Sequence, residues 1–473
     1  MHNVVKRTFI LLVVVLAYLG GMIFLGYEIV QNADDWAAHD ASPYIVAPEM
    51  NFINTVYDAN GVCLLKLETV KDEDDNEIQK LIRNEDDELL RRATLHAVGG
   101  QYLGVGITGK FTGVPISPEY EYDILNGLHV QAQDNESKDF YLTIDGEVCK
   151  TAYEQLDGRK GTVGVYNYKT GEIICMVSTP AFDPSNPPAD SEILEKEYPE
   201  STYNKMLMLT YTPGSIFKIV TAACAIENIP NLYTRRFVCD GALEVEGFGQ
   251  KVICNSVHGN INFEKALNCS CNWVFGQLAI ELGPEKLQRT AEKMGFGDVF
   301  EVDRHPLTAG TIDVENASDI ELGWAGIGQH TTRANPCMMM TLMGAIANEG
   351  QAVKPYYVAE THSAYDDTVL YQAQPETTDV IRLNTDTAIK LKKLLRSNVQ
   401  NYYTDSRFPG LEMCGKTGTA EVAGRGDNAW FVGFSQREDF PYAIVVMIED
   451  SSQSGSQAAI PVANNVLQSI LGG

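Results

Sequence analysis

The first thirty residues constrain this chain most. From Thr8 to Tyr27 there is no charged side chain, and Phe9 to Leu19 is almost wholly apolar. At about 1.5 Å of rise per residue, a helix of this length spans about 30 Å, the thickness of a bilayer's hydrocarbon core. Lys6 and Arg7 precede the stretch; Glu28, Asp34, Asp35 and Asp40 follow it, and the next lysine or arginine is Lys66. Positive charge stays on the cytoplasmic side, so the sequence predicts a cytoplasmic tail over 1–7, a transmembrane helix over 8–30 and all else outside the cell membrane. A cleaved signal peptide is the alternative, but its apolar core usually runs about 7–15 residues and ends in small residues. Here the stretch is longer and Ala37-Ala38 is a poor cleavage site, so a retained single-pass anchor is expected.

The rest is globular. At 473 residues the chain suggests about three units. Thirty-six lysines and arginines against 63 acidic residues leave a net charge of −27. A chain this acidic repels phosphate backbones, so no nucleic-acid partner is expected. None of the ten cysteines pairs at CxxC spacing, so a zinc ribbon is not supported. An exported location permits disulfides. Cys239 and Cys254 flank a short Gly-rich loop and form the best candidate pair; alternatively, most cysteines are small buried hydrophobes.

Residues 31–137 read as a small, irregular α+β module next to the membrane. A polar stalk runs to about 50 and contains Pro43 and Pro48. Asn60-Gly61, between apolar runs, signals a hairpin. The acidic stretches Lys71 to Glu77 and Glu85 to Glu88 read as a solvated helix or loop face, and 98–117 is Gly-rich. From 138 to 473 the character changes. Phe140 to Ile144 is strand-like and Glu147 to Leu156 has helical spacing. Gly161 to Tyr166 and Glu172 to Val177 form a hairpin around Tyr168-Lys169-Thr170-Gly171. Helices follow at 215–228, 284–295 and 336–349, then strands at Trp430 to Phe434 and Tyr442 to Ile448, and a closing helix at Val462 to Leu471. Strands at both ends with helices between predict one antiparallel sheet, built from distant chain regions, flanked by helices and packed on a helical subdomain.

Three short stretches carry chemistry. In Thr212-Pro213-Gly214-Ser215-Ile216-Phe217-Lys218, Pro-Gly ends an extended segment and Ser215 opens an apolar helix. Ser215 and Lys218, at i and i+3, share one face. Serine needs a base beside it to become a nucleophile, and lysine becomes one only when burial or a nearby cation lowers its pKa. Taken alone, the plainer reading is that Ser215 is an N-cap and Lys218 is solvated. The second stretch, Asn268-Cys269-Ser270-Cys271-Asn272, lies in a loop before a helix-like segment. Ser270 is suited to relay a proton and Asn272 to orient an amide or hold a lysine; a capping turn is the default. The third is Lys416-Thr417-Gly418-Thr419. It offers a cation and two hydroxyls to a carboxylate, with Gly418 leaving room for a substrate to pair as an added strand. The amides of Thr419 and Ser215 would make an oxyanion hole. A tight turn is the alternative. In this order and spacing, however, SxxK, SxN and KTG form the motif set of serine β-lactamases and penicillin-binding proteins.

On these residues the chain resembles the class B penicillin-binding proteins, of the small penicillin-binding protein A type. Leu142-Thr143-Ile144-Asp145, Ser178-Thr179-Pro180-Ala181-Phe182-Asp183-Pro184, Gly328-Gln329, Ile346-Ala347-Asn348-Glu349-Gly350 and Ala429-Trp430-Phe431-Val432-Gly433-Phe434 extend the likeness, which is patchy from about 56 to 450. His330 stands where the family more often has glycine, and Cys149 where glutamine is common. The resemblance implies the penicillin-binding transpeptidase fold and a peptidoglycan D,D-transpeptidase. Ser215 would attack the penultimate D-Ala of a stem peptide and Lys218 would take its proton. Ser270 would relay protons, Asn272 and Lys416 would hold the network, and Thr417, Gly418 and Thr419 would bind the substrate end. It also implies acylation by β-lactams, a membrane glycosyltransferase of the cell-wall machinery as a partner, and neither a cofactor nor a metal. A D,D-carboxypeptidase, a serine β-lactamase or a membrane-anchored β-lactam sensor are the rivals. A class A β-lactamase needs a water-activating glutamate after SxN, often in ExxLN; here Glu264-Lys265-Ala266-Leu267-Asn268 precedes Ser270.

Overall fold

The computed structural model describes residues 11–22, 24–25, 27, 53–71, 75–99, 120–123, 127–130 and 138–472, less 190, 246, 248 and 304. Its centre is a five-stranded sheet in the order Met413–Ala420, Asp427–Ser435, Tyr442–Ser451, Gly161–Asn167, Ile173–Thr179. Every neighbour pair is antiparallel. The expected hairpin forms, with Gly171 at φ +94° closing it. The sheet therefore joins chain regions far apart in sequence. Strands Asp427–Ser435 and Tyr442–Ser451 are buried at consecutive residues, as aromatic and β-branched runs are when both faces of a sheet are covered.

Helices Gly146–Leu156 and Gly455–Leu471 pack together on this sheet, and Pro336–Ala347 packs on it separately. Pro336–Ala347 is buried all round, as its Met338, Met339, Met340 and Met343 require, and Asn335 caps its start by accepting from the Met338 amide. The closing helix begins earlier than the expected Val462. Ser454 and Gln457 form a capping box that starts it at Gly455 and carries it through Pro461. Lys218–Asn228, Asn272–Leu282, Pro284–Lys293 and Asp319–Ala325 pack into a helical subdomain, and Thr385–Asn398 links it to the Met413–Ala420 strand.

A second, six-stranded sheet has the order Val369–Gln372, Val358–Ser363, Lys138–Leu142, Ile53–Tyr57, Cys63–Lys71, Glu77–Arg83. Strand Lys138–Leu142 runs parallel to Ile53–Tyr57 and antiparallel to Val358–Ser363. The sheet thus draws strands from both sides of the expected boundary at 137/138. The Asn60-Gly61 hairpin forms, with the Asp58 carboxylate accepting from the amides of Asn60, Val62 and Gly146. The acidic stretch Lys71 to Glu77, read as a solvated helix or loop face, begins and ends in strands, with Lys71 closing Cys63–Lys71 and Glu77 opening Glu77–Arg83; 72–74 lie outside the described residues. Almost all of the Gly-rich 98–117 lies outside them too.

Residues 11–22 are helical and exposed. No helix among the described residues is long and apolar enough to cross a membrane, and the ends of the expected anchor lie outside them. The Cys239–Cys254 disulfide does not form: all ten cysteines are free thiols. Each of these two sulfurs faces His258 rather than the other, at 3.5 Å from its Nδ1.

Candidate active site

The serine-bearing segment is a turn before a helix rather than a helix start. Gly214–Phe217 is a 3₁₀ turn that passes into the α-helix Lys218–Asn228. In 3₁₀ geometry residues i and i+3 eclipse, which stacks Lys218 directly against Ser215. Gly214 has φ +55° and donates its amide to Gly328 O at 2.9 Å. A Cβ on Gly214 would lie 2.6 Å from Thr419 O, and one on Gly418 would lie 2.5 Å from Pro213 O. The turn and the KTG strand therefore touch backbone to backbone, which only glycine at both positions allows. Trp430 adds a bond from its indole N–H to Thr212 O at 3.0 Å. His330, where the resemblance puts glycine, has φ +60°.

Lys218 is completely buried. Its Nζ lies 2.6 Å from Asn272 Oδ1, 2.7 Å from Ser270 O, 3.0 Å from Ser215 Oγ and 3.1 Å from Ser270 Oγ. The two shortest contacts are to pure acceptors, which take the two N–H bonds of a neutral amine. The two longer ones are to hydroxyls, which can donate into its lone pair. Burial pushes the Lys218 amine well below the ordinary lysine range, and the Lys416 ammonium pushes it further. The solvated-lysine reading of this motif therefore fails.

Ser270 sits at φ +55° in the loop after helix Phe263–Asn268, so its hydroxyl stands between the two amines. Lys416 Nζ donates to that oxygen at 3.0 Å and to Thr417 O at 3.0 Å. Lys416 is also fully buried, and burial pushes its pKa down to about 7. Asn272 opens helix Asn272–Leu282; its Nδ2 donates to Ile253 O at 2.8 Å. Ser215, Lys218, Ser270, Asn272 and Lys416 thus form one connected cluster from three distant stretches.

The KTG hydroxyls are placed differently from one another. Thr417 Oγ1 lies 2.7 Å from Tyr403 Oη, and the Thr417 amide donates to the same oxygen at 3.0 Å. Thr419 is exposed, and its Oγ1 accepts from the Gly455 amide at 3.1 Å. Sequence reasoning missed Tyr403 and Asn398, whose Nδ2 donates to Gly415 O at 2.7 Å. Both lie at the end of one helix and the π turn after it, where no motif marks them. Glu264 accepts from Ser397 Oγ at 2.5 Å, on the approach to the loop.

The family profile of the penicillin binding protein transpeptidase domain matches residues 161–468. Among curated proteins, Stage V sporulation protein D of Bacillus subtilis is 28% identical over 354 residues, which is 70% of this chain but only 53% of that protein. Peptidoglycan D,D-transpeptidase PbpA of Mycolicibacterium smegmatis is 28% identical over 359 residues, 70% of this chain and 72% of that one. Among solved structures, the D,D-transpeptidase domain of a peptidoglycan glycosyltransferase from Eggerthella lenta superposes with a TM-score of 0.72 at 26% identity, covering 89% of this chain and 98% of that one. The ceftriaxone acyl-enzyme complex of penicillin-binding protein A from M. tuberculosis gives 0.74 at 19% identity, covering 89% and 98%, a likeness of fold.

Proposed function

The chain belongs to the penicillin-binding protein transpeptidase family, and from that premise we propose that it is a peptidoglycan D,D-transpeptidase that works through a serine acyl-enzyme. The observation that carries this reading is the buried Lys218 amine, 3.0 Å from Ser215 Oγ and held by Asn272 Oδ1 and Ser270 O.

Ser215 Oγ attacks the carbonyl carbon of the penultimate D-Ala as Lys218 Nζ takes its proton. Collapse of the tetrahedral intermediate breaks the amide C–N bond. The proton returns to the leaving amine by way of Ser270 Oγ, which touches both Lys218 and Lys416. Terminal D-Ala departs. An amine from a neighbouring stem then attacks the ester, gives its proton to the same relay and restores Ser215. The amides of Ser215 and Thr419 would stabilise the oxyanion. Lys416, Thr417, Gly418 and Thr419 would receive the donor's terminal carboxylate and backbone. A β-lactam would acylate Ser215 in the same way.

The uncharged stretch after Lys6 and Arg7 supports an anchor over 8–30, with 1–7 cytoplasmic and the catalytic part outside. A membrane glycosyltransferase would then supply nascent strands beside it. The test is intact mass of the full chain after exposure to a fluorescent penicillin, with the label mapped to a peptide. One adduct on the Ser215 peptide is expected. No adduct, or one mapping elsewhere, overturns the reading.

A further inference from the structure

Next to the SxN loop, four side chains from three separate segments point at one spot. They are Cys239, at the end of strand Arg236–Cys239; Cys254, just after Lys251–Ile253; His258; and Cys271, between Ser270 and Asn272. Their ligand atoms all lie within 4.8 Å of one another. Cys254 Sγ is 3.7 Å from Cys271 Sγ, and His258 Nδ1 is 3.5 Å from both Cys239 Sγ and Cys254 Sγ. For a tetrahedral zinc-type ion with bonds of about 2.3 Å to sulfur and about 2.1 Å to nitrogen, the edges come to about 3.8 Å between sulfurs and about 3.6 Å from sulfur to nitrogen. The separations of the thiols and imidazole therefore leave room for an ion at their centre.

The surroundings fit such an ion as well. Metal-bound histidine usually directs its other ring nitrogen to an oxygen that fixes its tautomer; His258 Nε2 lies 3.1 Å from Ser256 Oγ. Thiolates bound to metal accept backbone N–H bonds; the Asn272 amide donates to Cys254 Sγ at 3.2 Å. On the extracytoplasmic reading proposed above, three neighbouring sulfurs would otherwise be open to disulfide chemistry.

We propose that Cys239, Cys254, His258 and Cys271 bind one divalent metal ion of the zinc type, which ties the SxN loop to the strand pairs packed against it. Binding is balanced: the three thiols release three protons to solvent, neutral His258 coordinates through Nδ1, and three thiolates with one dication leave the site at −1. Four protein ligands close the coordination sphere, so the ion is structural and takes no part in acyl transfer. Its effect reaches the cleft through Asn272. The backbone of that residue bonds Cys254, its Nδ2 bonds Ile253 O, and its Oδ1 holds Lys218 Nζ. The ion is independent of the transpeptidase reading; only this last consequence rests on it. The spacing, Cys239-x14-Cys254-x3-His258-x12-Cys271, lacks a CxxC pair and so escapes the usual ribbon pattern.

The experiment uses the detergent-solubilised full chain, purified without chelator. Elemental analysis should find about one zinc per chain, as a closed four-ligand site requires. After removal of zinc and addition of cobalt(II), tetrahedral ligand-field bands and thiolate-to-cobalt charge transfer should appear. Cys239→Ser and His258→Ala should lose them, while Cys63→Ser should keep them. In case ligand variants unfold, Ser256→Ala tests the site without touching a ligand and should weaken cobalt binding by about tenfold. Isolation of the folded chain without metal and with ten free thiols, or with Cys254 joined to Cys271, overturns the proposal. So does a cobalt spectrum without sulfur charge transfer. Labelling of Ser215 by penicillin is read separately, so loss of the metal site and loss of the acyl-enzyme reading remain distinguishable.

Discussion

The two walls of the cleft are held by different means. On the wall formed by the serine turn and the KTG strand, position comes from backbone. Met413–Ala420 pairs residue for residue with Ser435 back to Asn428 on the neighbouring antiparallel strand, and Gly214 and Gly418 let the turn lie against the strand. On the SxN wall, the loop makes its near-end bonds at a helix terminus, with Ser270 and Cys271 amides donating to Leu267 O and Ala266 O. Its far end hangs on side chains: Asn272 to Ile253 O and Cys254 Sγ, and Cys271 in the thiol cluster. Sheet geometry resists single substitutions by sharing the load over many bonds. A side-chain tie fails when one partner is lost.

The sharpest way to break this comparison is at the residue both walls share. Lys218 leaves the serine turn and ends on Asn272 and Ser270. A general base contributes typically 10²–10⁴-fold. Lys218→Ala should therefore lower the rate of acylation by fluorescent penicillin by about 10²–10⁴-fold. Stopped-flow labelling measures it; a loss below tenfold would remove Lys218 from the base role.

A smaller effect, specific to the backbone wall, is expected from Gly418→Ala. The new Cβ would meet Pro213 O at 2.5 Å, and a carbonyl on a turn cannot swing aside like a flexible side chain. Overpacking of this kind costs about 1–3 kcal/mol. A Tm lower by a few degrees, together with slower acylation, is the expected result. An unchanged Tm with unchanged labelling would show that the turn and strand do not set each other's position.

The difference between the walls also explains what the sequence made legible. Hydrophobic runs such as Trp430 to Phe434 and Tyr442 to Ile448, and turn residues such as Gly171 and Gly61, state their own geometry, so the central sheet and its hairpins could be read directly. The three motifs lie on or beside those elements, so their order was legible, though their meeting came only through the resemblance. Ties made by lone side chains were not legible. Tyr403 under Thr417, Asn398 on Gly415 O and the Cys239–Cys254–His258–Cys271 group depend on distant segments coming together. The same blindness produced the expected Cys239–Cys254 bridge: sequence proximity suggested a pair, whereas the fold turns both thiols toward His258.

pH sharpens the comparison at Lys416, on the strand of the backbone wall. Lys416 is pushed by burial from its ordinary value of 10.5 down to about 7. Between those values the unfolded chain holds a proton that the folded chain does not, so stability from this site rises with pH across the window. It is fully present above about 10.5 and lost as pH falls through about 7. Lys416→Met, with nothing to titrate, should flatten that part of the Tm profile. If Lys416 acts as the cation facing the substrate carboxylate, its loss of charge should lower the second-order acylation constant as pH rises through about 7. Lys416→Arg should remove that alkaline limb, because guanidinium stays charged. A limb that persists in the arginine variant assigns it to another group.

The smallest expected effect separates a transferase from a hydrolase on the same fold. A β-lactamase must activate water against the acyl-serine, and the glutamate of Glu264-Lys265-Ala266-Leu267-Asn268 is the one residue whose sequence setting invites that role. Its carboxylate is instead bonded to Ser397 Oγ at 2.5 Å, and the same Ser397 oxygen accepts from Asn268 and Asn401. That carboxylate belongs to the support behind the SxN wall. Glu264→Gln keeps an acceptor for Ser397 and, on an exposed side chain, removes only the charge, so acylation and the lifetime of the penicillin adduct should change by no more than about twofold, the range of surface substitutions that leave buried bonds in place. Intact mass followed over time gives both numbers. An adduct that decays quickly in the natural chain and persists in Glu264→Gln would assign the base role to this carboxylate and make the chain a hydrolase.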